Sequence, residues 1–263
     1  MQIPQLVAFA MQADGWWLRQ DNIWAKRNCM PESVKDRTTR AHEYVFMLTK
    51  AERYFYDAVA IEEDGEIAAG TRAAKGSVER AEHANGRPPE YAVYTGKRNK
   101  RSVWWMATQP FRDAHFAVFP PELPEICIKA GTSERGCCAA CGASWVRQTE
   151  KRDTGRVQKM ADGWDTGPGG HGTIHRAGRE KGAAGVPVTA DVTVGWLPSC
   201  GCDAGEPVPS TVLDPFAGAF TTALVADRLG RDCIGIELNE TYCEMARRRI
   251  EKDAGMFAQV AAQ

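Results

Sequence analysis

The sequence predicts an α/β fold interrupted by a cysteine-bounded insert. Three observations carry the prediction. Residues 211–252 read as strand, tight turn, helix, strand and helix, the pattern of a parallel pair with a crossover helix. Two cysteine pairs, Cys138/Cys141 and Cys200/Cys202, bracket a stretch with a Gly-rich centre at Gly167-Pro168-Gly169-Gly170. The 263 residues are 43% hydrophobic and 25% charged, the mix of an ordinary globular protein.

Taken in order, Ile3, Leu6, Val7, Ala10 and Met11 have the spacing of an amphipathic helix over 3–13, ended by Asp14-Gly15. Residues 16–26 form a strand with Trp17, Ile23 and Trp24 as its bulky members, and 28–39 a loop. Tyr44 to Leu48 is a buried strand, with 53–57 as its hairpin partner. Residues 62–100 are polar and weakly ordered, and 102–105 is a short strand. A helix starts just after Pro120-Pro121. Thr211 to Asp214 and Cys233 to Leu238 are the parallel strands. Thr221 to Leu229 is the crossover helix, and Glu240 to Lys252 the last helix. The implied divisions are 1–61, 62–101, 102–136, the insert 137–202, and the βαβ unit 203–263.

The formal net charge is −1, so nucleic acid is not signalled by the whole chain. Charge is uneven, however. Residues 96–101 are a basic run, and Arg147, Lys151, Arg152, Arg156 and Lys159 outnumber their acidic neighbours. Either is a solvated surface or a phosphate-contacting one. No apolar run approaches the roughly 18 residues of a membrane span. The first residues lack a secretion pattern, because Asp14 and Trp16-Trp17 interrupt it. A cytoplasmic protein is expected.

A nucleoside cofactor in an open α/β sheet sits beyond the carboxyl ends of the strands. It calls for a small-residue turn after the first strand and an acid ending the second, to accept hydrogen bonds from ribose hydroxyls. Asp214-Pro215-Phe216-Ala217-Gly218 supplies the turn, and Glu237 lies 23 positions beyond Asp214. Any βαβ unit ending in Glu would share that spacing. The letters are more specific. With Gly235-Ile236-Glu237-Leu238-Asn239 and Tyr242, the turn resembles the adenosylmethionine motifs of the N4-cytosine/N6-adenine DNA methyltransferases. His115 to Leu123 resembles the segment that closes the cofactor pocket in that family. Trp24-Ala25-Lys26, Met30-Pro31-Glu32-Ser33, Asp36-Arg37 and His42-Glu43-Tyr44 resemble its middle portion, especially in phage and prophage members.

The resemblance implies a Rossmann-like methyltransferase sheet that binds S-adenosyl-L-methionine and acts on double-stranded DNA, with adenine N6 the acceptor ahead of cytosine N4. It implies cofactor contacts at Phe119, Pro120, Asp214, Pro215, Phe216, Ala217, Gly218, Thr221, Glu237 and Asn239. Where the family continues its turn with a third glycine, this chain has Phe220. That side chain either crowds the methionine end of the ligand or turns back into the core.

The family holds its acceptor amine with Asp-Pro-Pro-Tyr or a close variant, expected upstream of the helix at Ile3. Residues 1–263 contain no such tetrapeptide. Arg87-Pro88-Pro89-Glu90 and Phe119-Pro120-Pro121-Glu122 lack both the preceding acid or amide and the following aromatic. No catalytic residue is therefore assigned. An incomplete sheet with two unpaired central strands is expected, from a mis-set start codon, a decayed prophage gene or one half of a split enzyme whose partner, a complementing chain, supplies the missing strand. A catalytically inactive, zinc-stabilised DNA-binding remnant is the alternative, and an RNA or protein methyltransferase a third reading.

The paired cysteines Cys138, Cys141, Cys200 and Cys202 offer four soft ligands to a structural zinc ion in a zinc-ribbon-like insert, with Cys137 as a substitute for Cys138. Small unligated cysteines are the alternative. Trp145, Trp164 and Trp196, with the basic residues around them, make the insert the candidate target-recognition region. In the 28–39 loop and just before it, Lys26, Lys35 and Arg37 are candidate DNA-backbone contacts.

Overall fold

The structure, a computed structural model, describes residues 2–64, 97–109, 118–158, 186–203, 205–255 and 260–261. Most of the polar 62–101 connection, the residues His115 and Phe116, the glycines at 167–170, Lys159 and Trp164 lie outside the described residues.

Helix α1 (Ile3–Ala13) leads into strand β1 (Trp17–Lys26). β1 is the middle strand of a three-stranded sheet. It pairs antiparallel with β2 (His42–Thr49), Trp17 opposite Thr49 and Ala25 opposite His42, with a bulge at Arg19. On its other side it pairs parallel with β5 (Val103–Met106), Ile23 opposite Val103 and Lys26 opposite Met106. Strands β3 (Glu63–Asp64) and β4 (Lys97–Arg98) form a short antiparallel ladder.

The expected partner of β2 was 53–57, but β1 takes that place. Asp57 is tied down instead by its amide, which donates to the Ala130 carbonyl at 2.9 Å, while its carboxylate caps the amide of Ala60. β2 is also less buried than expected, with only Thr49 fully enclosed.

Helix α2 (Glu122–Gly131) joins two cores. Ile126 and Ala130, one turn apart, pack with Trp24, Ile61, Trp104 and Met106 against the three-stranded sheet. Ile128, on the other side of the helix, packs with Val225 and Ala226. The buried Trp24 indole donates to the Met106 carbonyl at 3.2 Å, which satisfies its one polar atom.

Val225 and Ala226 belong to α3 (Thr221–Arg228), the crossover between the parallel strands β8 (Thr211–Asp214) and β9 (Asp232–Gly235). β9 ends three residues earlier than expected. Beyond it Ile236 donates to the Asp214 carbonyl, and Ala217 donates to the Ile236 carbonyl. The chain therefore stays beside the turn without continuing the ladder. Helix α4 (Glu240–Ala254) closes the unit, its amino end capped by the Asn239 side chain. Among the described residues β8 pairs only with β9, and β5 only with β1.

The chain divides into two compact units, Met1–Ile61 with Lys100–Arg147 and Gly195–Gln263, and Glu62–Asn99 with Gln148–Val194. The insert is thus shared between them. Strands β6 (Trp145–Gln158) and β7 (Val186–Pro198) pair in a sheet whose base lies in the first unit. Among the described residues, no helix is long and apolar enough to cross a membrane.

Candidate cofactor turn and cysteine centre

The turn after β8 is organised by two carboxylates. Asp214 accepts from the Phe216 amide at 3.1 Å and from the Thr222 hydroxyl at 2.6 Å. Glu237, at the end of the second strand segment, accepts from the Gly218 amide at 2.8 Å and from the Asn239 amide at 2.9 Å. The Asn239 amide foremost, with those of Gly218 and Leu238, holds the Glu237 carboxyl below the usual carboxylate range, against a smaller opposing effect of burial. The acid and the small-residue turn thus meet where both strands end, the place where an open α/β sheet binds its ligand. A carboxylate oxygen can accept two hydrogen bonds, so Glu237 retains capacity for a ligand donor.

Phe220 turns inward. It caps α3 in a left-handed conformation, at φ +54° the only non-glycine with positive φ among the described residues. Its ring lies on the backbone of Gly235, where an added Cβ would stand 2.3 Å from Cε1. Gly235 is therefore obligatory for as long as the ring is there. Of the two expected placements, the structure shows the ring half-buried against Gly235 and outside both core clusters.

Several expected contacts are engaged elsewhere. Thr221 is buried at 2% exposure, and its hydroxyl accepts from Arg249 at 3.0 Å, so it offers no exposed atom to a ligand. Pro120 is fully buried, and Phe119 packs against the Trp24 cluster. Asn239 uses its side-chain oxygen to cap α4, accepting from the Thr241 amide. Pro215 and Phe216 are exposed, Phe216 at 89%, and Ala217 is buried.

The four cysteines converge. Their sulfurs all lie within 4.8 Å of one another, with Cys138 buried and Cys141 and Cys202 exposed. A tetrahedral zinc with Zn–S bonds of about 2.3 Å requires sulfurs roughly 3.8 Å apart, so the set fits such an ion after a small contraction. The backbone amides of Cys141 and Ala140 pull the Cys138 thiol down to about 7, toward the thiolate a metal needs, whereas the neighbouring Cys141 and Cys200 sulfurs push Cys202 up to about 12. Cys137 is not a substitute: its thiol turns to the Pro209 carbonyl, and its backbone pairs with Val208. The loop approaches Val208 so closely at Gly136 that a Cβ there would meet the Val208 oxygen at 2.2 Å. Because the pairs before β6 and after β7 meet, the two strands run antiparallel.

The charged candidates divide. Lys26 pairs with Glu43 and lies 4.8 Å from the centroid of Trp24, and Arg37 pairs with Glu32 at 2.7 Å. Lys35 is exposed and has no ion-pair partner among the described residues. In the basic run, Lys97 and Arg98 pair with Asp64 and Glu63. Arg147 is not a surface charge: it bonds Asp57 at 2.9 Å and Glu134 at 2.6 Å beneath Trp196, with its side chain 12% exposed. The roles of Thr222, Gly235 and Arg147 were missed from the sequence. The Gly235-Ile236-Glu237 run was the one signal that could have found any of them.

Residues 1–139 and 204–248 match the family described as DNA methylase. The type II methyltransferase M.SmaI of Serratia marcescens is 31% identical over 248 residues, covering 94% of this chain and 51% of the relative. M.Cfr9I of Citrobacter freundii is also 31% identical, over 260 residues, 99% of this chain and 53% of the relative. A solved PvuII DNA methyltransferase, described as cytosine-N4-specific, is 15% identical, covering 97% of this chain and 62% of that chain at a TM-score of 0.48. The chain spans about half the length of the curated relatives it matches. The family match covers more than half of this chain and includes the whole β8–α3–β9 unit with Glu237, so the chain belongs to the N6/N4 DNA methylase family.

Proposed function

We propose that the protein transfers a methyl group from S-adenosylmethionine to an exocyclic amino nitrogen, adenine N6 or cytosine N4, in double-stranded DNA in the cytoplasm. The observation that supports this most is the 2.8 Å hydrogen bond between the Gly218 amide and Glu237. It joins the two elements a nucleoside ligand requires at the carboxyl ends of parallel strands.

When bound, the cofactor supplies an activated methyl group. The chain's own part is to hold it. Glu237 accepts from the ribose hydroxyls, the Gly218 turn admits the ligand's close approach, and Asp214 with Thr222 keeps that turn fixed. Pro215, Phe216 and Ala217 complete the turn. No catalytic residue within 1–263 is assigned.

The apolar side chains of Leu213 in β8, Ile234 in β9 and Ile236 just beyond it, all at least half exposed, support a further reading. Parallel strands are ordinarily covered on both faces. A complementing polypeptide would cover these side chains and supply the tetrapeptide that grips the amine. A structural zinc ion on Cys138, Cys141, Cys200 and Cys202 would fix the base of β6 and β7 for target recognition, and Lys35 is the freest of the candidate phosphate contacts.

The test is transfer of labelled methyl from S-adenosylmethionine to unmethylated DNA, followed by nucleoside analysis. N6-methyladenine or N4-methylcytosine is expected once the complementing polypeptide is present. Cofactor binding without transfer under every combination would sink the enzymatic reading.

A further inference from the structure

The base of the β6–β7 pair carries a cleft of about 460 Å³ lined by Glu134, Arg135, Trp145 and Trp196. Its two indoles come from opposite strands. Trp145 opens β6 four residues after Cys141, and Trp196 lies in β7 four residues before Cys200. The cysteine cluster thus sets the spacing of the two rings. Two hydrogen bonds add to it: the Trp145 amide donates to the Gly136 carbonyl at 3.0 Å, and the Ser199 hydroxyl donates to the Ser144 carbonyl at 2.7 Å.

Cations flank both rings. The Arg147 guanidinium lies 4.4 Å from the Trp196 centroid, held there by Asp57 and Glu134. Arg135 lies 5.9 Å from the Trp145 centroid, and among the described residues its ion pair is to Glu206, at 2.7 Å, where both side chains are exposed. An exposed ion pair of this kind is worth little and exchanges readily for another anion.

We infer that this cleft stacks an unpaired DNA base on Trp145 and Trp196, with Arg135 taking the adjoining phosphate. Aromatic faces take bases that have left the helical stack, and arginine adds phosphate charge and cation–π contact. The cleft is separate from the cofactor turn. It gives the cysteine centre a task beyond stability, which is to bring the two indoles to one cleft. The inference rests on the DNA reading above.

The test uses the full, metal-loaded chain and a duplex carrying one bulged 2-aminopurine, whose fluorescence falls on stacking. Wild type is expected to quench the probe and to bind the bulged duplex more tightly than the fully paired one. Trp145→Ala is expected to weaken that binding by about tenfold and abolish the quench, and Trp145→Phe to retain most of both. Trp145→Ala with native metal content and unchanged binding would overturn the inference. Should Trp145→Ala lose its metal or fold, the exposed Arg135→Gln decides. A salt slope lower by about one supports the cleft, and an unchanged slope overturns it. Failure of wild type to bind any DNA also overturns it. Absent methyl transfer with the quench intact counts only against the enzymatic reading.

Discussion

The cofactor turn and the cysteine base are both tight backbone loops between strands, yet they are held in opposite ways. The turn is held by its immediate neighbours: Asp214 bonds residues two and eight positions on, and Glu237 gathers the Gly218 and Asn239 amides. The base is held by groups distant in sequence, with Cys138 meeting Cys202 and Arg147 meeting Asp57 90 residues away. The turn can form when one βαβ unit forms. The base needs chain segments distant in sequence to meet, and its sulfurs require a cation to stay together as thiolates.

That contrast is sharpest under metal removal, where the largest effect is expected. Structural zinc contributes on the order of 10 kcal/mol of apparent binding free energy in small domains. Chelation, or Cys138→Ala, should therefore release the base cooperatively while the βαβ unit keeps its hydrogen bonds. Hydrogen exchange would read this as early loss of protection at Trp145 and Val208 with that at Val225 retained. Cys137→Ser should keep full zinc. Stoichiometric zinc in Cys138→Ala would refute the ligand set.

The next effect in size lies in the ion pair beneath Trp196. The Asp57 side chain is 4% exposed, and Arg147→Met leaves that carboxylate buried and unpaired. Such a break costs about 3–5 kcal/mol. Adding Asp57→Asn should recover part of the loss, because the neutral amide still caps the Ala60 amide. A denaturant titration that shows additive losses for the pair would disprove the coupling.

Within the turn the effects are smaller. Gly235→Ala forces a methyl group against the Phe220 ring, a cost of about 1–3 kcal/mol. In a Phe220→Gly background the same change should cost far less. The glycine also relieves the left-handed backbone at that position. Equal costs in both backgrounds would mean that the ring does not depend on Gly235.

Legibility from the sequence follows the same divide. The βαβ unit could be read because strand, turn, helix and acid are consecutive, and periodicity reports consecutive elements. The cysteines could be paired because residue type carried the information across the 58 positions between Cys141 and Cys200. Charge carried no such label. Arg147, Lys97, Arg98, Lys26 and Arg37 looked like surface available to phosphate, and each has an acidic partner that the sequence keeps at a distance or among many. The supposed 53–57 strand failed for a related reason. Tyr54 and Tyr56 have β-propensity, but Asp57 is anchored to the end of α2, and that contact outweighs propensity.

The smallest expected effect is also the one that bears most directly on the ligand. Amide hydrogen bonds hold the Glu237 carboxyl below its ordinary range, so its folded-state pKa is lower than its unfolded one. The tie between the turn and the second strand is then fully present above the unfolded value, about 4.3, and is lost only as pH falls through the folded value. S-adenosylmethionine affinity should accordingly be flat from pH 8 to about 5 and decline only below about pH 4. Glu237→Gln keeps one acceptor oxygen but turns an amide NH2 toward the donors of Gly218 or Asn239, so affinity should fall roughly tenfold and the acid limb should vanish. Calorimetry across that range reads both. An affinity unchanged by the substitution would remove Glu237 from the ligand, and an acid limb that survived it would assign the titration to a different group.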